Sequence, residues 1–205
     1  DPNKKDFLYA GTERGIYFSA NGGENWQSLQ LNLPIVPITD LTVQKREKDL
    51  VVATQGRSFY VLDNLPVLYQ LAEAEKASAY LFKPEDAYRT SGGGGFRLPA
   101  TATVGRNPAS GAVINYYLKT KPNKDVTIEF LDSQNSVVRK FVRRIDPTGA
   151  ESQALASTGF GGGADSQPTA DLGFNTFAWN YRLPNAATIT GLIMWGGSLA
   201  GPRVP

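Results

Sequence analysis

The sequence predicts an all-β fold. Three observations carry the prediction. Short runs rich in β-branched and aromatic residues recur along the chain, with one brief helical stretch among them. Glycine (21) and proline (13) punctuate those runs, as turns between strands require. Two stretches near the N-terminus also repeat one another at a fixed spacing.

In chain order, Phe7–Thr12 and Gly15–Ser19 read as paired strands. A turn through Gly22-Gly23 leads to a third strand from Trp26 to Leu29. Leu31 to Pro37 is a connection, since Pro34 and Pro37 break regular structure. Ile38–Gln44 is the next strand and Lys45–Lys48 a charged turn. Leu50–Thr54 and Ser58–Leu62 complete a second set.

The two sets correspond. Ala53 lies 43 residues after Ala10, and at that spacing Leu8 meets Val51, Arg14 meets Arg57, Ile16 meets Phe59 and Tyr17 meets Tyr60 without a gap. A period of about 40–45 residues with four short strands per unit is the mark of a β-propeller blade. The first set has no strand matching Ile38–Gln44. Asp1–Lys5 resembles the turn that should follow such a strand. Residues 1–63 are therefore expected to be the last blades of a propeller, the first of them incomplete. The rest of the propeller would come from upstream sequence or from another chain. Because exposed blade edges template pairing, residues 1–63 alone are expected to aggregate or fail to fold.

Asn64 and Pro66 suit a helix cap and first turn, and residues 65–76 have helical composition. Ala79–Phe82 is strand-like and would serve as the outer strand of the second blade. Gly92–Gly95 is a linker, so residues 64–95 join two domains.

The second domain spans 96–205. Ala112–Leu118, Val126–Leu131, Val137–Val142 and Phe174–Tyr181 read as strands. Val126, Ile128 and Phe130 alternate with Thr127 and Glu129, which gives one buried and one wet face. Asp132–Asn135 is a hairpin turn and residues 146–172 a long loop. The pattern predicts an immunoglobulin- or fibronectin-like β-sandwich. Its last strand is expected to be missing, because Gly201–Pro205 does not read as one.

Composition excludes several functions. The chain has no cysteine and no histidine, so disulfides, thiolate metal sites, His-ligated zinc, a Ser-His-Asp triad and a Cys-His pair are ruled out within it. A net charge of +2 gives no reason to expect nucleic acid or an anionic membrane as partner. No apolar run is long enough to cross a bilayer. No cofactor or metal is expected.

The motif with the most local information is Ser19-Ala20-Asn21-Gly22-Gly23-Glu24-Asn25-Trp26. Gly22 and Gly23 tolerate positive φ at a hairpin tip. Ser19 and Asn21 can bond to backbone groups within their own turn. The Trp26 ring is expected to pack beneath the turn with its N–H on a carbonyl, so that truncation of a buried ring would cost about 3–5 kcal/mol. A phosphate-cradle reading of the paired glycines fails because no helix follows.

This octapeptide resembles the Asp-box (BNR) motif of sialidases, sortilins and related propellers, with Asn21 where that motif most often has Asp. The run from Asp40 through Asp63 looks like the final blade of bacterial sortilin-like, "glycosyl hydrolase BNR repeat" proteins. Gly111–Lys119, Phe177–Asn180 and Gly191–Gly197 are similar to the Ig-like domain that follows their propeller, although its usual Pro-Gly-x-Tyr strand is absent here. The resemblance implies a structural Asp-box (Ser19, Asn21, Gly22, Gly23, Trp26). It also implies secretion or display in the periplasm or at a bacterial surface, and binding of proteins or glycans.

A glycoside hydrolase is the competing expectation. It needs two carboxylates about 5–10 Å apart across a cleft. Glu13, Asp40, Glu47 and Asp49 lie near strand ends, but no spacing pairs them, so the catalytic groups of such an enzyme would lie mostly upstream. No catalytic residue is assigned. Glu13, Arg14, Asp40 and Arg57 are candidate ligand contacts, although the repeat-equivalent positions of Arg14 and Arg57 also suit a structural blade edge. Arg139, Lys140, Arg143 and Arg144 read as a solvated face.

Overall fold

The structure is a computed structural model that describes residues 1–88, 111–145, 167–186 and 200–204. The described residues are all-β apart from two helical turns, and the chain divides into two compact units, Asp1–Glu73 and Ala74–Pro205.

In the first unit, β1 (Leu8–Thr12), β2 (Gly15–Ser19) and β3 (Gln27–Ser28) form one antiparallel sheet. A second sheet holds β4 (Ile38–Gln44), β5 (Asp49–Thr54) and β6 (Phe59–Leu62), with β5 in the centre. The sheets share one core of Phe7, Ile16, Phe18, Leu29, Leu50, Val52 and Leu65. Full burial of one such side chain contributes about 1.5–3 kcal/mol. Gly11 lets the sheets meet, because a Cβ there would stand 2.6 Å from Ile38 Cγ2.

The two hairpins match in sequence but not in register. Thr12 faces Gly15, so β1 and β2 are joined by the two residues Glu13 and Arg14. Ala53 faces Phe59, and the amide of Thr54 donates to the carbonyl of Ser58 at 3.1 Å, which leaves Gln55, Gly56 and Arg57 as a three-residue loop. A gap-free repeat would set Ala53 opposite Tyr60. Side chains alternate with a period of two, so a one-residue change reverses the face. Ile16 is 3% exposed while Phe59, its sequence counterpart, is 71% exposed. Tyr60, not Phe59, packs on the core. The gap-free alignment is thus corrected for the second strands. The first strands keep it, with Phe7 and Leu50 both buried and Tyr9 and Val52 both turned to the core.

The helix is shorter than its composition suggests. α1 (Pro66–Tyr69) and α2 (Leu71–Ala74) are single turns interrupted at Gln70. Pro66 opens α1, but the cap position is Leu65 and no side chain caps it. Asn64 stands at φ 62°, its Oδ1 buried without a hydrogen bond, and its amide donates to Asp49 Oδ1 at 3.1 Å. It therefore turns the chain instead of capping the helix.

In the second unit, β7 (Ala79–Leu81), β8 (Ala112–Leu118) and β11 (Gly173–Trp179) form a sheet ordered β11-β8-β7. β9 (Val126–Leu131) and β10 (Val137–Arg143) form another. Ala79–Leu81 is therefore not the outer strand of the β4–β5–β6 sheet, because it pairs with Leu118–Tyr116 of β8. The two sheets share a core of Ile114, Tyr116, Leu118, Phe141, Phe177 and Trp179. Aromatic rings dominate it, with Phe130 and Trp179 at 4.5 Å and Phe141 and Phe177 at 4.7 Å between centroids. Asp132 closes the β9–β10 turn by accepting from the amides of Gln134 and Ser136, while Asn135 takes φ 61°. Asn175, 3% exposed, ties down residues 169–173: it accepts from Thr169 Oγ1 at 2.7 Å and donates to the carbonyl of Asp171 at 2.8 Å. The terminal segment makes one antiparallel bridge, Arg182 with Arg203, flanked by the amide of Val204 donating to the carbonyl of Tyr181. Gly92–Gly95, residues 146–166 of the long loop and Gly191–Gly197 lie outside the described residues.

Candidate functional site

The turn after β2 is a closed hydrogen-bonded unit. Ser19 is 1% exposed, and its Oγ accepts from the amides of Gly23 at 2.9 Å and Asn21 at 3.4 Å while donating to Asn21 Oδ1 at 2.9 Å. Asn21 Oδ1 also accepts from the amide of Asn25 at 3.0 Å. Gly22 and Gly23 take φ values of 71° and 97°, in the left-handed region that favours glycine. The amide of Gly22 donates to the carbonyl of Asp6 at 2.8 Å, which fastens the turn to the start of β1. Trp26 Nε1 reaches the carbonyl of Gly23 at 3.0 Å. The ring is 44% exposed, so it covers the turn from outside and is not a buried plug. These bonds engage Ser19 Oγ, Asn21 Oδ1 and Trp26 Nε1 within the turn and hold its shape.

The four candidate contact residues gather at one end of the first unit. Glu13 and Arg14 form the β1–β2 turn, Asp40 follows the irregularity near the start of β4, and Arg57 ends the β5–β6 loop. The contact of Gly11 with Ile38, and the bond from the amide of Gln55 to the carbonyl of Pro37, bring these loops to the same end. All four residues are exposed. Asp40 Oδ1 accepts from the amide of Leu41 at 2.8 Å, a local bond within the strand start. The positive φ of the first turn, 136°, is carried by Gly15, over which the Gln30 side chain lies. Gln30 Nε2 then donates to the carbonyls of Leu33 and Pro34 at 2.7 and 2.8 Å. Of the other carboxylates, Glu47 pairs with Arg46 at 3.0 Å in the β4–β5 turn, and Asp49 holds the amide of Asn64.

A cleft of about 60 Å³ opens beside Ile16, Leu29, Leu33, Leu50, Val52 and Tyr60. It is apolar, lies well below the ~300–1,000 Å³ of ligand pockets, and takes in none of the four candidates. Among the described residues no group of three or more His, Cys, Asp or Glu side chains could hold a metal ion. Among them, too, no helix is long and apolar enough to cross a membrane.

The basic cluster of β10 is not a uniformly solvated face. An irregularity between Val137 and Arg139 turns Val138 and Arg139 both inward. Arg139 is 7% exposed and its guanidinium lies 4.7 Å from the Phe141 ring centre. Lys140 stays outside, paired at 2.8 Å with its cross-strand neighbour Glu129. Arg144 is exposed and Arg143 half-buried.

Sequence reasoning missed one polar cluster. Asp1 Oδ2 accepts from Tyr9 at 2.8 Å and Tyr69 at 2.6 Å, which ties the chain start, β1 and α1 together. Burial first, and then Tyr69, push the Tyr9 phenol above its usual range. Burial, and then Asp49, raise the Asp63 carboxyl above the ordinary carboxylate value. No local motif signals the Asp1–Tyr9–Tyr69 contact, because its members are far apart in sequence. Comparison with protein-family models, with curated proteins and with solved structures gave no match.

Proposed function

We propose that the first unit is part of an Asp-box β-propeller and that the chain is a non-catalytic binding or scaffold portion of a secreted or cell-surface bacterial protein. The rest of the propeller is its first partner. The second unit, read as an Ig- or fibronectin-like sandwich, acts as a spacing or adhesive module towards a surface protein or glycan. One observation carries the reading: the two repeat-related sheets share a core yet keep apolar side chains on their outward faces. Leu8 and Tyr17 lie on one outer face, and Phe59 and Val61 on the other. Apolar faces on both sides of a sheet pair suit a stack that continues in both directions. The local bonding of the Ser19–Trp26 turn supports a structural motif. The small apolar cleft gives no support to a hydrolase.

The test is a turnover assay of the 205-residue chain on sialosides and β-glucans, run beside sedimentation velocity. The expected outcome is no hydrolysis, with self-association that Phe59→Ser weakens. Hydrolysis that disappears in Glu13→Gln or Asp40→Asn would replace the scaffold reading with an enzyme.

A further inference from the structure

We propose that Asn21–Gly22 is a deamidation site that the folded turn keeps closed, and that of the two products only the aspartyl form rebuilds the turn. The proposal does not depend on the propeller reading. Asn21-Gly22 is the one Asn-Gly pair in the sequence. Glycine has no side chain to shield its main-chain nitrogen, so this pair is the one most prone to the reaction. Both residues are exposed, which gives water and base access to them.

The chemistry needs only base and water. Base removes the Gly22 amide proton, and the nitrogen attacks Asn21 Cγ. The Cγ–Nδ2 bond breaks, ammonia leaves with a proton from solvent, and a cyclic succinimide remains. Water then opens the ring. Addition at Cγ gives aspartate. Addition at the main-chain carbonyl carbon gives isoaspartate, in which the backbone runs through Cγ and the free carboxylate sits on Cα. Nothing is oxidised or reduced.

The folded turn blocks the first step. Three successive amides are held in place. Those of Asn21 and Gly23 donate to Ser19 Oγ at 3.4 and 2.9 Å, and that of Gly22 donates to the carbonyl of Asp6 at 2.8 Å. The proton that must leave is therefore bonded, and a swing of the nitrogen towards Cγ would pull Gly22 off Asp6. The carboxamide is pinned as well, because Asn21 Oδ1 accepts from Ser19 Oγ at 2.9 Å and from the amide of Asn25 at 3.0 Å. Attack thus waits for local opening of the turn. The two products then differ. Both bonds go to the side-chain oxygen, which an aspartate keeps, and a charged acceptor strengthens them. Isoaspartate adds a methylene to the main chain and moves its carboxylate to Cα. The oxygen facing Ser19 and Asn25 is then lost, and the Gly22 amide no longer lines up with the carbonyl of Asp6.

The test ages the 205-residue chain in mildly alkaline buffer and follows position 21 by peptide mass and by chromatography that separates aspartyl from isoaspartyl peptides. Deamidation of Asn21 is expected to run at least about tenfold slower in the native chain than in the urea-unfolded chain. In urea too dilute to unfold the protein, its rate should climb in parallel with hydrogen exchange of the Gly22 amide. Ser19→Ala, which removes three bonds of the turn, should raise the native rate towards the unfolded one. Asn21→Asp should keep the amides of Gly23 and Asn25 protected from exchange, whereas aged chains carrying isoaspartate should lose that protection. Equal rates in the native and unfolded chains would overturn the proposal. A faster native rate would do so too, because Ser19 and Asn25 would then be activating the carboxamide for attack. If Ser19→Ala fails to fold, the intact chain still decides: deamidation that stays constant in dilute urea while Gly22 exchange rises would overturn the gating. Lost protection in Asn21→Asp, or retained protection with isoaspartate, would overturn the difference between the products.

Discussion

The sheet β1–β2–β3 and the sheet β4–β5–β6 share a sequence pattern and a core, yet they differ by one residue in a turn. Ile16 and Phe18 of β2 point inward, while Phe59 and Val61 at the matching positions of β6 point outward. Identity in register therefore does not establish equivalence of environment. In a strand, residue type and turn length decide together which side chains see the core. Among the described strands, β5 has a neighbour on each side, whereas its matching member β1 pairs with β2 alone.

The largest effect expected from this difference is on stability. Ile16→Ala should cost about 2–5 kcal/mol in denaturant melts. Phe59→Ala should change stability by no more than about 0.5 kcal/mol, as an exposed position does. Equal costs would mean that the two hairpins are equivalent after all.

The turns offer the next comparison. Gly56 takes φ 77°, and a Cβ added there would meet no atom within 4 Å, so Gly56→Ala should cost about 1–2 kcal/mol from backbone strain alone. At Gly15 a Cβ would lie 1.8 Å from Gln30 Oε1, on top of φ 136°. Gly15→Ala should therefore cost more than Gly56→Ala. Pairing it with Gln30→Ala, which removes the clash, should recover part of the loss in a double-mutant cycle.

The smallest effect concerns pH. Asp63 follows β6 and is raised by burial and by Asp49, whereas the equivalent end of β2 carries the neutral Ala20. A raised carboxyl favours the protonated folded state. Its contribution to stability is greatest below the ordinary carboxylate range and is lost as pH rises through the raised value. Asp63→Asn should flatten that part of the stability–pH curve and leave the protein more stable at neutral pH. Urea melts across the acidic range measure it.

Much of the fold was legible in the sequence, because alternation and turn residues are local. Every strand from β1 to β6 and from β8 to β11 falls on a run read as a strand, and Asp132–Asn135 is the turn its residues suggest. Three features were hidden, for different reasons. The parity of the β5–β6 loop depends on one residue that leaves the identities untouched. The inward turn of Arg139 depends on a bulge at Val138, which alternation cannot reveal. The placement of Ala79–Leu81 beside β8 is a long-range pairing that local pattern does not encode. For the candidate site, the hydrogen-bonding capacity of Ser19 and Asn21 was readable, but the exposure of Trp26 was not, since it depends on what lies over the turn.

The chain has no native cysteine, so single introduced thiols report burial without background. Labelling Ile16→Cys, Phe59→Cys and Tyr60→Cys in the native 205-residue protein tests the offset between the two sheets most directly. The expected result is rapid modification at 59, near the rate of the unfolded chain, and strong protection at 16 and 60. Protection at 59 together with rapid modification at 60 would contradict it.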